Sequence, residues 1–85
     1  MLFVSFLQKS ALARGWAMVD VSRKAKLSLP ELSRIYSGTR PPSLRIIEHL
    51  ADAFSETASR EGEPYNYAGW AGIMVQLARD DRLSA

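Results

Sequence analysis

Cysteine is absent from this chain, which excludes disulfides and thiolate metal sites. Histidine occurs once, at position 49, too few for a His-rich metal site. No apolar run approaches the roughly 20 residues needed to span a bilayer. The opening segment MLFVSFLQKS is mildly apolar, but it has neither a basic leading region nor a small-residue cleavage site. It reads as a core-facing helix and not as a secretion signal. No internal repeat or low-complexity tract is visible. No pair of titratable groups has the spacing that acid–base or nucleophilic chemistry requires, and His49 lacks a Ser, Cys or carboxylate partner suggested by spacing. The expectation is a protein that is not an enzyme, holds no cofactor, and works in the cytoplasm of a bacterium or of the host of a phage or plasmid.

What is present fits one small domain. The 85 residues are 47% hydrophobic and 24% charged, enough for one modest core in a globular protein. The net charge of +2 is unevenly spread. Residues 1–47 carry eight basic side chains against Asp20 and Glu31, and residues 48–85 carry three against seven acidic ones. Six of the eight basic residues of the first half fall between Arg23 and Arg45. A basic half joined to an acidic half suggests that only the first half meets a polyanion.

The pattern predicts five helices. In the first, over residues 2–14, Leu2, Phe3, Phe6, Leu7 and Ala11 follow helical spacing, with Phe3 and Phe6 assigned to the core, and Gly15 follows as a left-handed stop. The second runs from about Met18 to Ala25, with Val21 and Ala25 inward and Ser22, Arg23 and Lys24 outward. Ala17 stands where a hydroxyl cap is expected, a loss worth about 1 kcal/mol, and Trp16 packs over this helix start. The third spans about Ser28 to Ser37. Ser28 and Glu31 have capping-box spacing, Pro30 sits in the first turn where its missing N–H costs nothing, and Gly38 ends the helix. Leu32 and Ile35 face inward. Thr39-Arg40-Pro41-Pro42 is a stiff loop, and Ser43 caps a fourth helix over about Leu44 to Phe54. Its inner stripe is Leu44, Ile47, Leu50, Ala51 and Phe54, and His49 is placed on its outer one. Two short helices joined by so tight a turn form a helix-turn-helix, whose second helix usually enters a DNA groove.

Residues 56–65 read as a flexible polar connector, and residues 66–85 as a C-terminal element of the same domain. Trp70, Ile73, Met74 and Leu77 recur at helical spacing, and Gly69 and Gly72 each cost roughly 1 kcal/mol of helicity relative to Ala. Such a helix needs a partner surface. It either closes the core of the first 55 residues or forms a symmetric homodimer interface with Trp70 and Met74 as anchors.

Gly15-Trp16, Val21, Ala25, Leu27-Ser28, Leu32-Ser33, Ile35, Gly38, Arg40 and Pro42-Ser43 resemble, in register, the lambda-repressor-like (Xre/Cro type) helix-turn-helix family, and LRIIEHLADAF resembles that family's fourth helix. The match covers about residues 3–55. The resemblance implies an all-α, compact five-helix bundle acting as a sequence-specific DNA-binding transcriptional regulator. It would be a homodimeric, nucleoid-associated repressor of a phage or mobile element, or an antitoxin-type autoregulator. Helix three would lie in the major groove, with Leu29, Pro30, Glu31 and Arg34 at the base-reading positions. Met18, Arg23, Lys24, Lys26, Ser28 and Arg40 would meet phosphates. Trp70, Ile73, Met74 and Leu77 would dimerise. Four helices complete the family core, so truncation after Phe54 is expected to leave a folded monomer.

The departures from the family pattern are specific. Met18 replaces a glutamine that touches phosphate, Ser22 an alanine, Tyr36 a glutamate, and Lys26 the turn glycine. A non-glycine residue at that turn is strained if its φ is positive. Leu29 and Pro30 can touch thymine methyls but cannot hydrogen-bond a base; Glu31 can accept from cytosine N4, and Arg34 is the one clear reader of guanine. With Leu29, Pro30 and Tyr36 on that face, the alternative is a protein-interaction module that keeps the fold without specific readout.

Overall fold

The computed structural model describes residues 1–57 and 60–84. Five helices follow one another: α1 (Leu2–Ala13), α2 (Met18–Ala25), α3 (Leu29–Tyr36), α4 (Leu44–Ser55) and α5 (Tyr67–Leu83), with no strand among the described residues. The molecule measures 33 × 24 × 20 Å. Positions 58, 59 and 85, within the predicted connector and C-terminal element, lie outside the described residues.

Local chemistry sets the boundaries of the helices. Arg14 caps α1, and Gly15 follows with φ +71°, a left-handed conformation that glycine adopts without a Cβ clash. Ala17 offers α2 no side-chain acceptor, but the Asp20 carboxylate accepts from the Ala17 N–H at 2.9 Å. The reciprocal half of a capping box is therefore present. At α3 the box is complete. Ser28 Oγ accepts from the Glu31 N–H at 3.2 Å, and Glu31 Oε1 accepts from the Ser28 N–H at 3.3 Å. Gly38, at φ +79°, turns the chain out of α3. Ser43 Oγ accepts from the Ile46 N–H to start α4, and Asn66 Oδ1 accepts from the Gly69 N–H to start α5.

The core runs through all five helices. Phe3, Leu7 and Ala11 enter it from α1, Val21 and Ala25 from α2, Leu32 and Ile35 from α3, and Trp70 and Met74 from α5. The central element is α4, which packs chiefly on α5 and on α2. It buries Ile46, Ile47, Leu50, Ala51, Ala53 and Phe54. This arc is wider than the expected stripe because α4 is covered on two sides. Its first residue behaves otherwise: Leu44, expected inside, is 64% exposed. His49 is not a plain surface residue either. It is half-buried, and its Nδ1 donates to the Ala25 carbonyl at 2.8 Å, satisfying one of the orphan carbonyls at the end of α2.

Trp70 and Met74 need the clearest correction. Expected as dimer anchors, they are 1% and 0% exposed inside the single chain. Trp70 stacks on Phe54 with centroids 5.2 Å apart, Phe54 stacks on Trp16 at 5.4 Å, and Phe6 tilts against Trp70 at 5.6 Å. The four rings join α1, α4, α5 and the α1–α2 turn, so α5 closes the core of the monomer. Of the remaining predicted dimer residues, Leu77 is half-buried against the core and Ile73 is 38% exposed.

The segment before α5 is anchored on its acidic side. Glu63 pairs with Arg14 through two hydrogen bonds of 2.9 and 3.0 Å. Arg14 also donates to Thr57 Oγ1 at 2.6 Å and to the Ser10 carbonyl at 2.9 Å. Its guanidinium lies 5.0–5.8 Å from the centres of the Phe54, Trp70 and Trp16 rings. The two side chains are only 5% and 13% exposed. Removing one member of such a buried pair typically costs about 3–5 kcal/mol, since the other charge is left unpaired. The expected flexibility of this connector therefore does not hold at Glu63.

Candidate nucleic-acid interface

A three-residue turn, Lys26–Ser28, joins α2 to α3. Lys26 adopts φ 57° and ψ 43°, the left-handed conformation that its position in the turn demands. The Leu27 N–H then donates to the Ser22 carbonyl at 3.0 Å, while Ser22 Oγ donates to the Leu27 carbonyl at 2.6 Å. These two bonds fix the turn from both sides. Ser22 thus performs a bonding task that an alanine cannot.

The inner edge of α3 holds Leu32 and Ile35, and its outer surface presents Leu29, Pro30, Ser33 and Arg34 to solvent. Tyr36 does not belong to that outer surface. It is half-buried against the core, and burial pushes its phenol pKa up. Beyond Gly38 the loop folds back on α3. The Thr39 and Arg40 N–H groups donate to the Arg34 carbonyl at 3.0 and 3.3 Å. Arg40 is thereby tied to the C-terminal end of α3, next to Arg34.

Glu31 sits among the cations but is already engaged. Its carboxylate accepts from the Ser28 N–H and, at 3.1 Å, from the Ser28 hydroxyl, and it is bridged by Arg45 of α4. Arg40 stands 3.9 Å away. The Ser28 hydroxyl, the Ser28 amide and the Arg45 guanidinium hold this carboxyl below the usual carboxylate range. Glu31 is therefore a fastener between α3, the loop and α4, and its oxygens are not available to accept from cytosine. Arg45 is the partner that spacing did not reveal, being fourteen residues away.

The predicted phosphate residues divide in the same manner. Lys24 and Lys26 are exposed, and the Lys24 ammonium stands 5.6 Å from the Trp16 ring centre. Arg23 is exposed but bridged to Asp20 at 2.8 Å. Met18 is half-buried and packs against the core, so its side chain is unavailable for the role of the glutamine it replaces. The Ser28 hydroxyl is taken up by the cap. Arg34 makes no ion pair among the described residues and is exposed on α3. Lys24, Lys26 and Arg34 are thus exposed on α2, the turn and α3, Arg40 stands beside Glu31, and Leu29 and Pro30 are the exposed apolar residues of α3.

Among the described residues no group of three or more His, Cys, Asp or Glu side chains is placed to hold a metal ion. No helix among them is long and apolar enough to cross a membrane. No protein-family model, no curated protein and no solved structure matches this chain.

Proposed function

We propose that this chain is a sequence-specific, DNA-binding transcriptional regulator, a repressor acting as a homodimer, in which α2 and α3 work as a helix-turn-helix and α3 enters the major groove. The observation that supports this most is the outward surface of α3. It offers Arg34 with no competing carboxylate, beside Leu29 and Pro30, while the one acid of that helix is drawn back onto Ser28 and Arg45. Arg34 would read guanine through O6 and N7, and Leu29 and Pro30 would contact thymine methyls. Lys24, Lys26 and Arg40, with Arg23 once it leaves Asp20, would hold phosphates. Two half-sites of a near-palindrome would lie about 34 Å apart.

A selection from random duplex DNA, followed by titration of the recovered site at several salt concentrations, tests this. The expected result is a preferred sequence containing guanine and a slope of log K against log[salt] near −4 for about four phosphates. Recovery of no preferred sequence, together with salt-independent binding, removes the proposal. A second reading, a protein-interaction module, is favoured by the exposed Leu29 and Pro30. Substituting Arg34 and Arg40 together by Ala separates the two. The regulator loses DNA binding, whereas the interaction module keeps its partner in a pull-down.

A further inference from the structure

The acidic balance of residues 48–85 points away from DNA, but the fold distributes those charges unequally. The Asp81 carboxylate lines the same groove as Arg40 and Arg82 and stays charged, but it is turned onto backbone N–H groups. Asp81 accepts from the Leu2 and Phe3 N–H groups at 2.6 and 2.9 Å, and Asp80 accepts from Gln76 Nε2 at 3.0 Å. Two of the three basic residues of this half, Arg79 and Arg82, lie on α5 and make no ion pair among the described residues. They stand against the α3–α4 loop. Arg82 lines one groove with Arg40, Pro41 and Pro42, and Arg79 and Arg82 line its continuation with Pro41, Pro42 and Ser43. Arg40 stands in the loop between α3 and this part of α5, its backbone N–H on the Arg34 carbonyl and its guanidinium 3.9 Å from Glu31.

We infer that Arg79 and Arg82 are phosphate-contacting residues, and that α5 extends the DNA footprint beyond the helix-turn-helix. This rests on the DNA-binding reading above. A duplex backbone suits arginines spread over two elements better than a single anion does. They come from the α3–α4 loop and from α5, and Pro41 and Pro42 line the grooves with them. Long, flexible arginines on a helix flank can follow successive phosphates, each neutralisation releasing counterions.

The test compares wild-type protein with the double substitution Arg79→Gln/Arg82→Gln on the selected duplex across a salt series. With two contacts added to the four of the helix-turn-helix, the wild-type slope should lie nearer about −5, and the double variant should give a slope shallower by about 1.8, since each neutralised phosphate contributes about 0.9. It should retain the same preferred sequence, because neither residue reads a base. Arg60→Gln, exposed in the turn before α5, should leave the slope unchanged and so separates local contact from overall charge. All three proteins should melt alike, as the altered side chains are exposed. If the double variant keeps the wild-type slope, the inference is overturned, while DNA binding itself stands. If wild-type protein shows no salt-dependent duplex binding, the DNA-binding reading falls and takes this inference with it.

Discussion

Lys26 shows how one residue carries two opposed demands. Its left-handed backbone is a conformation that costs a non-glycine residue about 1–2 kcal/mol. Glycine would relieve that cost but gives back about 0.5–1 kcal/mol through the flexibility of the unfolded chain. Lys26→Gly should therefore stabilise the fold by about 0.5–1 kcal/mol, raising Tm by about 2–8 °C. The same change removes a cation from the proposed DNA surface, so the salt slope should become shallower by about 0.9. Thermal melts and binding titrations on one pair of proteins check both halves; a lower Tm would show that the turn is not strained. The sequence made this residue legible, because the turn position is recognisable from Ser28 and Ala25 around it. Arg14 was illegible for the opposite reason. Its partner Glu63 is 49 residues away, and nothing local distinguishes a caged arginine from a solvated one at the end of a helix.

At the scale of elements, the end of α2, both ends of α3 and the start of α4 were legible to within a residue or two because capping residues and a glycine stop mark them: Ser28 with Glu31, Gly38, and Ser43. The inward stripe of α4 was read less well. Periodicity assumes one buried side, but α4 is covered by α2 and α5 together, so Ile46 and Ala53 are buried while Leu44 projects outward. The start of α1 has no capping side chain of its own, and its first N–H groups are satisfied from α5 by Asp81. The Phe3 and then the Leu2 amide hold the Asp81 carboxyl below the usual carboxylate range. A carboxyl depressed in the folded state stabilises above its unfolded pKa and loses that contribution as pH falls through the folded value. Tm should thus be steady near neutrality and decline below about pH 4. In Asp81→Asn the decline should be shallower, from a lower neutral starting point. Parallel Tm-against-pH curves for the two proteins would show that Asp81 contributes nothing beyond the other carboxylates.

The whole molecule is less divisible than its sequence suggests. Periodicity located the apolar residues of α5 correctly but cannot say whether a matching surface belongs to the same chain or another. The stack from Trp16 through Phe54 to Trp70, together with Met74 buried in the same core, answers that for two of the four residues. Removing Trp70 and Met74 typically costs about 3–5 and 2–5 kcal/mol when each is cut to Ala, and the sum rivals the total stability of a small domain, about 5–15 kcal/mol. Truncation after Phe54 should therefore give a chain with no cooperative melt and little helical circular dichroism. A folded fragment would show that four helices suffice. The same closure has a mechanical side. Asp81 ties the last turns of α5 to the first turn of α1, so the ends of the described chain meet in space. A load pulled between residues 2 and 83 would fall first on two carboxylate–amide bonds, which would break in succession. Once they gave way, α1 and α5 would peel from the core in turn, and the α2–α3 pair would feel the force last. Under tension the protein would thus yield early at its seam while keeping its proposed DNA-contacting helices folded.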